Sequence, residues 1–108
     1  MTLRGESRLS VAITSDDHVL LVAASGELDR ETVPAFDRCL DGAVEAGCSQ
    51  VRIDLSEISF FDIAGYRTLV RFGERCHRRG VVGVWVNPSS SVRLVFQILG
   101  EPARSLTR

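Results

Sequence analysis

Few side chains in this 108-residue sequence are spaced to do covalent chemistry. His18 follows the turn residues Ser15-Asp16-Asp17, and His77 sits among arginines. Neither has a sequence neighbourhood that would orient it between a nucleophile and an acid. Cys39, Cys48 and Cys76 are odd in number and far apart, with no Cys-x-x-Cys or Cys/His cluster of metal-ligand spacing, so they read as reduced and mostly buried thiols. All 13 basic residues are arginine, which removes mechanisms built on a lysine nucleophile, a Schiff base or a P-loop amine. No Gly-rich phosphate loop is present. Asp54, near the end of a strand, is placed like a phospho-accepting aspartate, but that chemistry also draws on a lysine and on an acidic pair after the first strand. Here Asp16-Asp17 falls in a hairpin turn. The expectation is no catalytic residue, no metal and no cofactor.

What remains is a segment suited to recognition, Ser59-Phe60-Phe61-Asp62-Ile63-Ala64-Gly65-Tyr66. Asp62 is predicted as a helix N-cap, accepting from otherwise unpaired N–H groups and complementing the positive end of the helix dipole. With two phenylalanines ahead of the cap and Gly65 baring backbone in the first turn, the helix start reads as an exposed docking point. Further along, Arg67, Arg71, Arg75 and Arg78 recur at four, four and three, with Glu74 spaced to pair with Arg78. This is a solvated face or, in its functional version, a surface for an acidic partner.

The elements that must carry this segment follow from periodicity. Leu9, Val11 and Ile13 alternate with polar or small residues as a half-buried strand, and Asp16-Asp17-His18 turns the chain into a more apolar strand over Val19–Leu28. An amphipathic helix follows, with Thr32 as N-cap, Pro34 in its first turn, Val33, Phe36, Leu40 and Val44 on its apolar face, and Gly47 at its end. Val51, Ile53 and Leu55 make a third strand that runs into Ser56-Glu57-Ile58-Ser59-Phe60-Phe61. A second helix runs from the Asp62 cap to about Arg79, with Leu69, Phe72 and Cys76 inward, Gly65 and Gly73 allowing close approach, and Gly80 as its stop. A short strand at Val81–Val86 and a last helix marked by Val92, Val95 and Leu99, closed by Gly100, complete the order. The fold class is α/β: one domain over residues 1–108, core about 9–100, with a mixed four-stranded sheet in the order β-β-α-β-α-β-α and a polar, mobile tail over 101–108. The loops after the second and third strands should share one rim.

Composition sets the outer limits. A formal charge of -1 gives no general pull toward nucleic acid or anionic membrane, and no stacking aromatics interleave with the arginines, so no nucleic-acid partner is expected. No apolar run has the length of a membrane span, and Met1–Ser10 lacks the apolar core of a signal peptide. The expected location is the cytoplasm, without membrane insertion, and homodimerisation stays open.

Three pieces in order resemble the STAS domain, in particular the bacterial anti-sigma factor antagonists. They are Gly26-Glu27-Leu28-Asp29, the run Val51–Gly65, and the run Val86–Gly100. The resemblance covers roughly Leu9 to Gly100. It implies a binding module, not an enzyme, which captures a serine-kinase-like anti-sigma factor and frees a sigma factor. It also implies a switch loop in which phosphorylation of a Ser or Thr between the aspartate and the glycine breaks the capture. Asp62 and Gly65 match that loop, whereas Ile63 and Ala64 replace its small polar residues, and Ala64 stands at the phosphoacceptor position without a hydroxyl. Control could pass to abundance, to a ligand, or to another hydroxyl such as Ser56, Ser59 or Thr68. The expected partner surface is Asp29, Arg30, Glu31 and Thr32 with Phe61, Asp62, Ile63, Ala64, Gly65, Tyr66 and Arg67. Two further readings belong to the same resemblance: a STAS subunit of a lipid-transport ABC complex, and a stand-alone sensory STAS module that binds a small ligand.

Overall fold

The computed structural model describes residues 2–4 and 8–103. Eight elements follow one another: β1 (Thr2–Arg4), β2 (Leu9–Asp16), β3 (Val19–Leu28), α1 (Val33–Glu45), β4 (Gln50–Phe61), α2 (Ile63–Arg79), β5 (Val82–Val86) and α3 (Ser90–Leu99). The strands form one sheet in the order β1-β2-β3-β4-β5. β1–β2 and β2–β3 are antiparallel, while β3–β4 and β4–β5 are parallel. The four expected strands are β2 to β5. β1 adds a three-residue edge strand, too short to show a period in the sequence.

Asp17 and His18 both have positive φ, 49° and 72°. This is the mirror-image turn whose twist suits a two-residue hairpin, and it joins β2 to β3 where expected. β4 is longer than its alternation suggests. Val51, Ile53 and Leu55 are buried at a spacing of two, then Ile58 and Phe61 at a spacing of three. The change comes from two register shifts against β3, between Ala23 and Ser25 and between Gly26 and Glu27, at each of which β4 carries one extra residue.

α1 and α2 pack side by side on one face of the sheet, burying the Phe36, Leu40 and Val44 stripe of one and the Leu69, Phe72 and Cys76 stripe of the other. Gly80, at φ 69°, ends α2 with its N–H on Cys76 O and His77 O. α3 takes the place beside β4 that β5 vacates. β5 pairs only with Gln50–Asp54. Beyond it, the Ser89 N–H donates to Leu55 O (3.2 Å) and the Ser91 hydroxyl to Ser59 O (2.9 Å). Phe96 then reaches inward to the rings of Phe61, Tyr66 and Trp85, at 6.0, 6.4 and 4.8 Å between centroids.

The start of the polar tail is docked rather than loose. Pro102 is buried, its carbonyl accepts from Trp85 Nε1 at 3.2 Å, and a Cβ on Gly73 would stand 3.0 Å from Ala103 O. Residues 104–108 lie outside the described part of the chain. The three cysteines are free, with Cys39 and Cys76 buried and Cys48 partly so. Burial, aided by the neighbouring Cys48, pushes the Cys76 thiol up to about 11, and burial raises Cys39 as well.

Candidate functional site

The register of the sheet sets the candidate surface. Leu28 at the end of β3 pairs with Phe61 at the end of β4, so Asp29 and Asp62 leave the sheet side by side. Both loops therefore open on one rim, as the sequence predicts.

At α2 the expected cap is present: Asp62 Oδ1 accepts from the N–H groups of Ala64 (3.0 Å) and Gly65 (3.3 Å). Ile63, just after the cap, is 48% exposed, and Ala64 is partly exposed beside it. Gly65 departs from the expectation of bared surface backbone. It is buried, and a Cβ there would come within 2.8 Å of the Phe61 ring and 3.2 Å of Leu28 Cβ. Only a glycine lets α2 approach the two strand ends this closely. Phe61 is likewise buried, at 6% exposure, so the exposed aromatic of the pair is Phe60, at 47%. The second register shift decides between the two rings.

On the β3 side, Gly26 has φ 115°, and a Cβ on it would lie 2.0 Å from Arg8 O, so this position admits only glycine. The same approach lets the Glu27 N–H donate to Arg8 O at 2.8 Å. The Arg8 side chain then binds three carboxylates at once: Glu27 at 2.7 Å, Glu31 at 2.7 Å, and Asp29 through both of its oxygens. Sequence reasoning missed Arg8, because nothing local marks an arginine whose partners lie 19 to 23 residues away. The Arg8 guanidinium and the Thr32 and Glu31 N–H groups outweigh desolvation and hold Asp29 down at about 2. The Arg8 pKa is raised correspondingly, chiefly by Asp29 and Glu27.

Thr32 does not cap α1 with its side chain. Asp29 organises that turn instead, its Oδ1 accepting from Glu31 N–H (2.9 Å) and Thr32 N–H (3.1 Å), while the buried Thr32 hydroxyl donates to Glu27 O at 2.8 Å. An aspartate three residues earlier supplies the acceptor, which leaves the Thr32 hydroxyl to tie the turn back to β3.

Between the two loops lies an open groove of about 840 Å³. Of the expected partner residues, Asp29, Arg30, Glu31, Asp62, Ile63, Ala64 and Arg67 line it together. Thr32, Phe61 and Gly65 are buried beneath it, and Tyr66 turns toward α3, its hydroxyl donating to Leu99 O at 3.3 Å. The groove also takes in Phe60 and, from α1, Val33, Pro34 and Asp37. The α1 contributions carried no signal in the sequence, because they show only once α1 lies beside α2.

The arginine face of α2 is partly consumed within the fold. Arg71 pairs with Asp37 at 2.7 Å, and Arg75 with Asp41 at 2.8 Å and Glu45 at 3.7 Å, so these two join α2 to α1 rather than waiting for a partner. Among the alternative hydroxyls, Thr68 is fully buried and accepts from Arg71 Nη2 at 3.0 Å, which puts it out of reach of a kinase in the folded protein. Ser56 and Ser59 are exposed. Among the described residues no group of acidic, His and Cys side chains could hold a metal ion, and no helix is long and apolar enough to cross a membrane.

No curated protein sequence matches the chain. Among solved structures, it is similar to an anti-sigma factor antagonist from Mycobacterium paratuberculosis, with 25% identity, 91% of this chain and 83% of that chain covered, and a TM-score of 0.74. It is similar also to the anti-sigma factor antagonist SpoIIAA in its unphosphorylated form, at 21% identity over 83% of this chain and 82% of that one, with a TM-score of 0.69. The fold extends to murine Slc26a9, an anion transporter, at 17% identity over 81% of this chain and 14% of the transporter, with a TM-score of 0.65. The family model that matches is the STAS domain, over residues 10–103. With that match spanning the rim, the bulged strand and all three helices, the chain belongs to the STAS domain family.

Proposed function

We propose that this protein is a bacterial, cytoplasmic anti-sigma factor antagonist: a binding module, without catalytic activity of its own, that captures a serine-kinase-like anti-sigma factor in the rim groove and so frees a sigma factor. The observation that carries the reading is the groove itself, where Ile63 and Phe60 expose apolar surface beside the Asp62 cap and the Arg8-held Asp29 turn. An apolar anchor ringed by fixed charges suits protein docking better than it suits a small substrate. The 25% identity with a mycobacterial antagonist over most of both chains supports the choice of partner class.

Capture is not switched at the usual place. In a family switch loop, a phosphate would bring about -1.5 to -2 charges beside the capping carboxylate and oppose docking by repulsion and desolvation. Ala64 has no oxygen to receive it. Control then falls to the amount of protein or, through a kinase other than the docked partner, to Ser56 and Ser59, the candidate hydroxyls that remain exposed.

Co-purification from the native host with identification of the bound protein tests the reading, with Ile63→Asp as the control. The expected result is a kinase-like anti-sigma factor that is retained by the wild type and lost, by at least about tenfold, with the variant. Recovery of a transport ATPase through the same groove would overturn it in favour of a transporter subunit.

A further inference from the structure

Among the described residues, α1 and α2 cover one side of the sheet, α3 packs beside β4, and no helix covers the other side. All-parallel sheets are found almost always with both faces covered, and in this mixed sheet the parallel strands β3, β4 and β5 present Leu21, Arg52 and Val84 on the side without helices. The register aligns these side chains into two neighbouring rows. One row runs Thr14, Leu21, Arg52, Val84 across β2 to β5, and the next runs Ala12, Ala23, Asp54, Val86.

We infer that this open face binds a second copy of the chain, sheet against sheet, about a two-fold axis that crosses the strands between the two rows. Such an axis lays each row over the other row of the partner copy. Leu21 then meets the small Ala23, Val84 meets Val86, and Thr14 meets Ala12. Arg52 meets Asp54, and by symmetry Asp54 meets Arg52.

Size and charge are thus both self-complementary. Among the described residues neither Arg52 nor Asp54 makes a salt bridge, and Asp54 accepts from Ser56, through its N–H at 2.9 Å, and from Asn87 Nδ2 at 3.5 Å. The two stand about 6.6 Å apart along one strand, the offset that a two-fold axis between them bridges. Four strands of about eight residues give roughly 500 Å² per copy, or roughly 1,000 Å² in all. That is the lower end of what a specific interface buries, so the dimer is reversible and concentration-dependent. Because the strands of the two copies run in opposite directions, the two rim grooves point to opposite ends and both stay free. The inference is independent of what the groove binds.

Sedimentation equilibrium of the whole chain, from about 1 μM to about 1 mM, tests it. A reversible monomer–dimer equilibrium is expected. Arg52→Asp and Asp54→Arg should each weaken it at least about tenfold, by putting like charges face to face. An equimolar mixture of the two variants should recover the dimer, since each copy then supplies what the other lacks. Circular dichroism checks that each variant is folded. Should Asp54→Arg not fold, Ala23→Trp, which leaves no room for the partner copy's Leu21, reads the same face and should also weaken the dimer. A wild type that stays monomeric throughout, a dimer indifferent to both charge reversals, or a mixture that fails to reassociate would overturn the inference.

Discussion

Arg8 holds together residues that define one wall of the groove, and its effect is open to titration. Asp29 sits at about 2 in the folded protein against an ordinary value of 3.8, mainly because the Arg8 guanidinium favours the carboxylate. The unfolded chain therefore binds the proton more readily, and the stabilisation is complete above about pH 4 and lost as the pH falls toward 2. Arg8→Ala removes its main source. The variant should melt below the wild type near about pH 6, and the gap should close as the pH falls from about 4 to about 2. A gap constant over that range, measured by thermal melts at each pH, would show that Arg8 acts through packing alone. Part of this residue-scale picture was legible in advance: Asp62 is readable as a cap because its acceptors lie two and three residues away. Arg8 is not, since its carboxylates are brought to it by the β2–β3 pairing and by the close approach at Gly26.

At the scale of elements, the rim depends on how near α2 comes to the ends of β3 and β4. Gly65 sets that distance by leaving room for the Phe61 ring and Leu28. Gly65→Ala pits a gain in helix propensity of up to about 1 kcal/mol against overpacking of about 1–3 kcal/mol. A net loss of about 1–2 kcal/mol is expected as a lower urea midpoint at unchanged slope, and a rise in the midpoint would mean that the contact is looser than the structure has it. The sequence marks Gly65 as a site of close approach but not its burial. It also takes Phe61 for exposed surface, although the alternation of Val51, Ile53 and Leu55 continues inward to Phe61; the two extra residues in β4 move the inward side to Ile58 and then back to Phe61, leaving Phe60 outside. Where the ladder is regular, as in β2, β3 and the hairpin at Asp17-His18, the reading and the structure agree. Where helices meet, as at Arg71–Asp37 and Arg75–Asp41, a surface face in the sequence becomes a seam in the fold.

At the scale of the molecule, one side of the sheet is built on helices and the rim, and among the described residues no helix covers the other. Its shortest dimension, 20 Å, is about that of one sheet and one helix layer. The order of elements was legible because each carries its own period and stop signals. The short edge strand β1, the docking of Pro102 under Trp85 and the α1 wall of the groove were not, since each exists only through contacts made by distant parts of the chain. On the proposed reading, the rim groove docks a kinase-like anti-sigma factor, and Ala64 keeps this docking outside the usual phosphate control. Calorimetric titration of that purified partner tests it most directly, with the wild type and Ala64→Ser each preincubated with the partner's kinase activity and Mg-ATP, or with Mg alone. Equal wild-type affinity is expected in both conditions, with no phosphate incorporated, whereas Ala64→Ser should lose affinity by at least about tenfold after ATP. Phosphate taken up by the wild type, with loss of its binding, would contradict it.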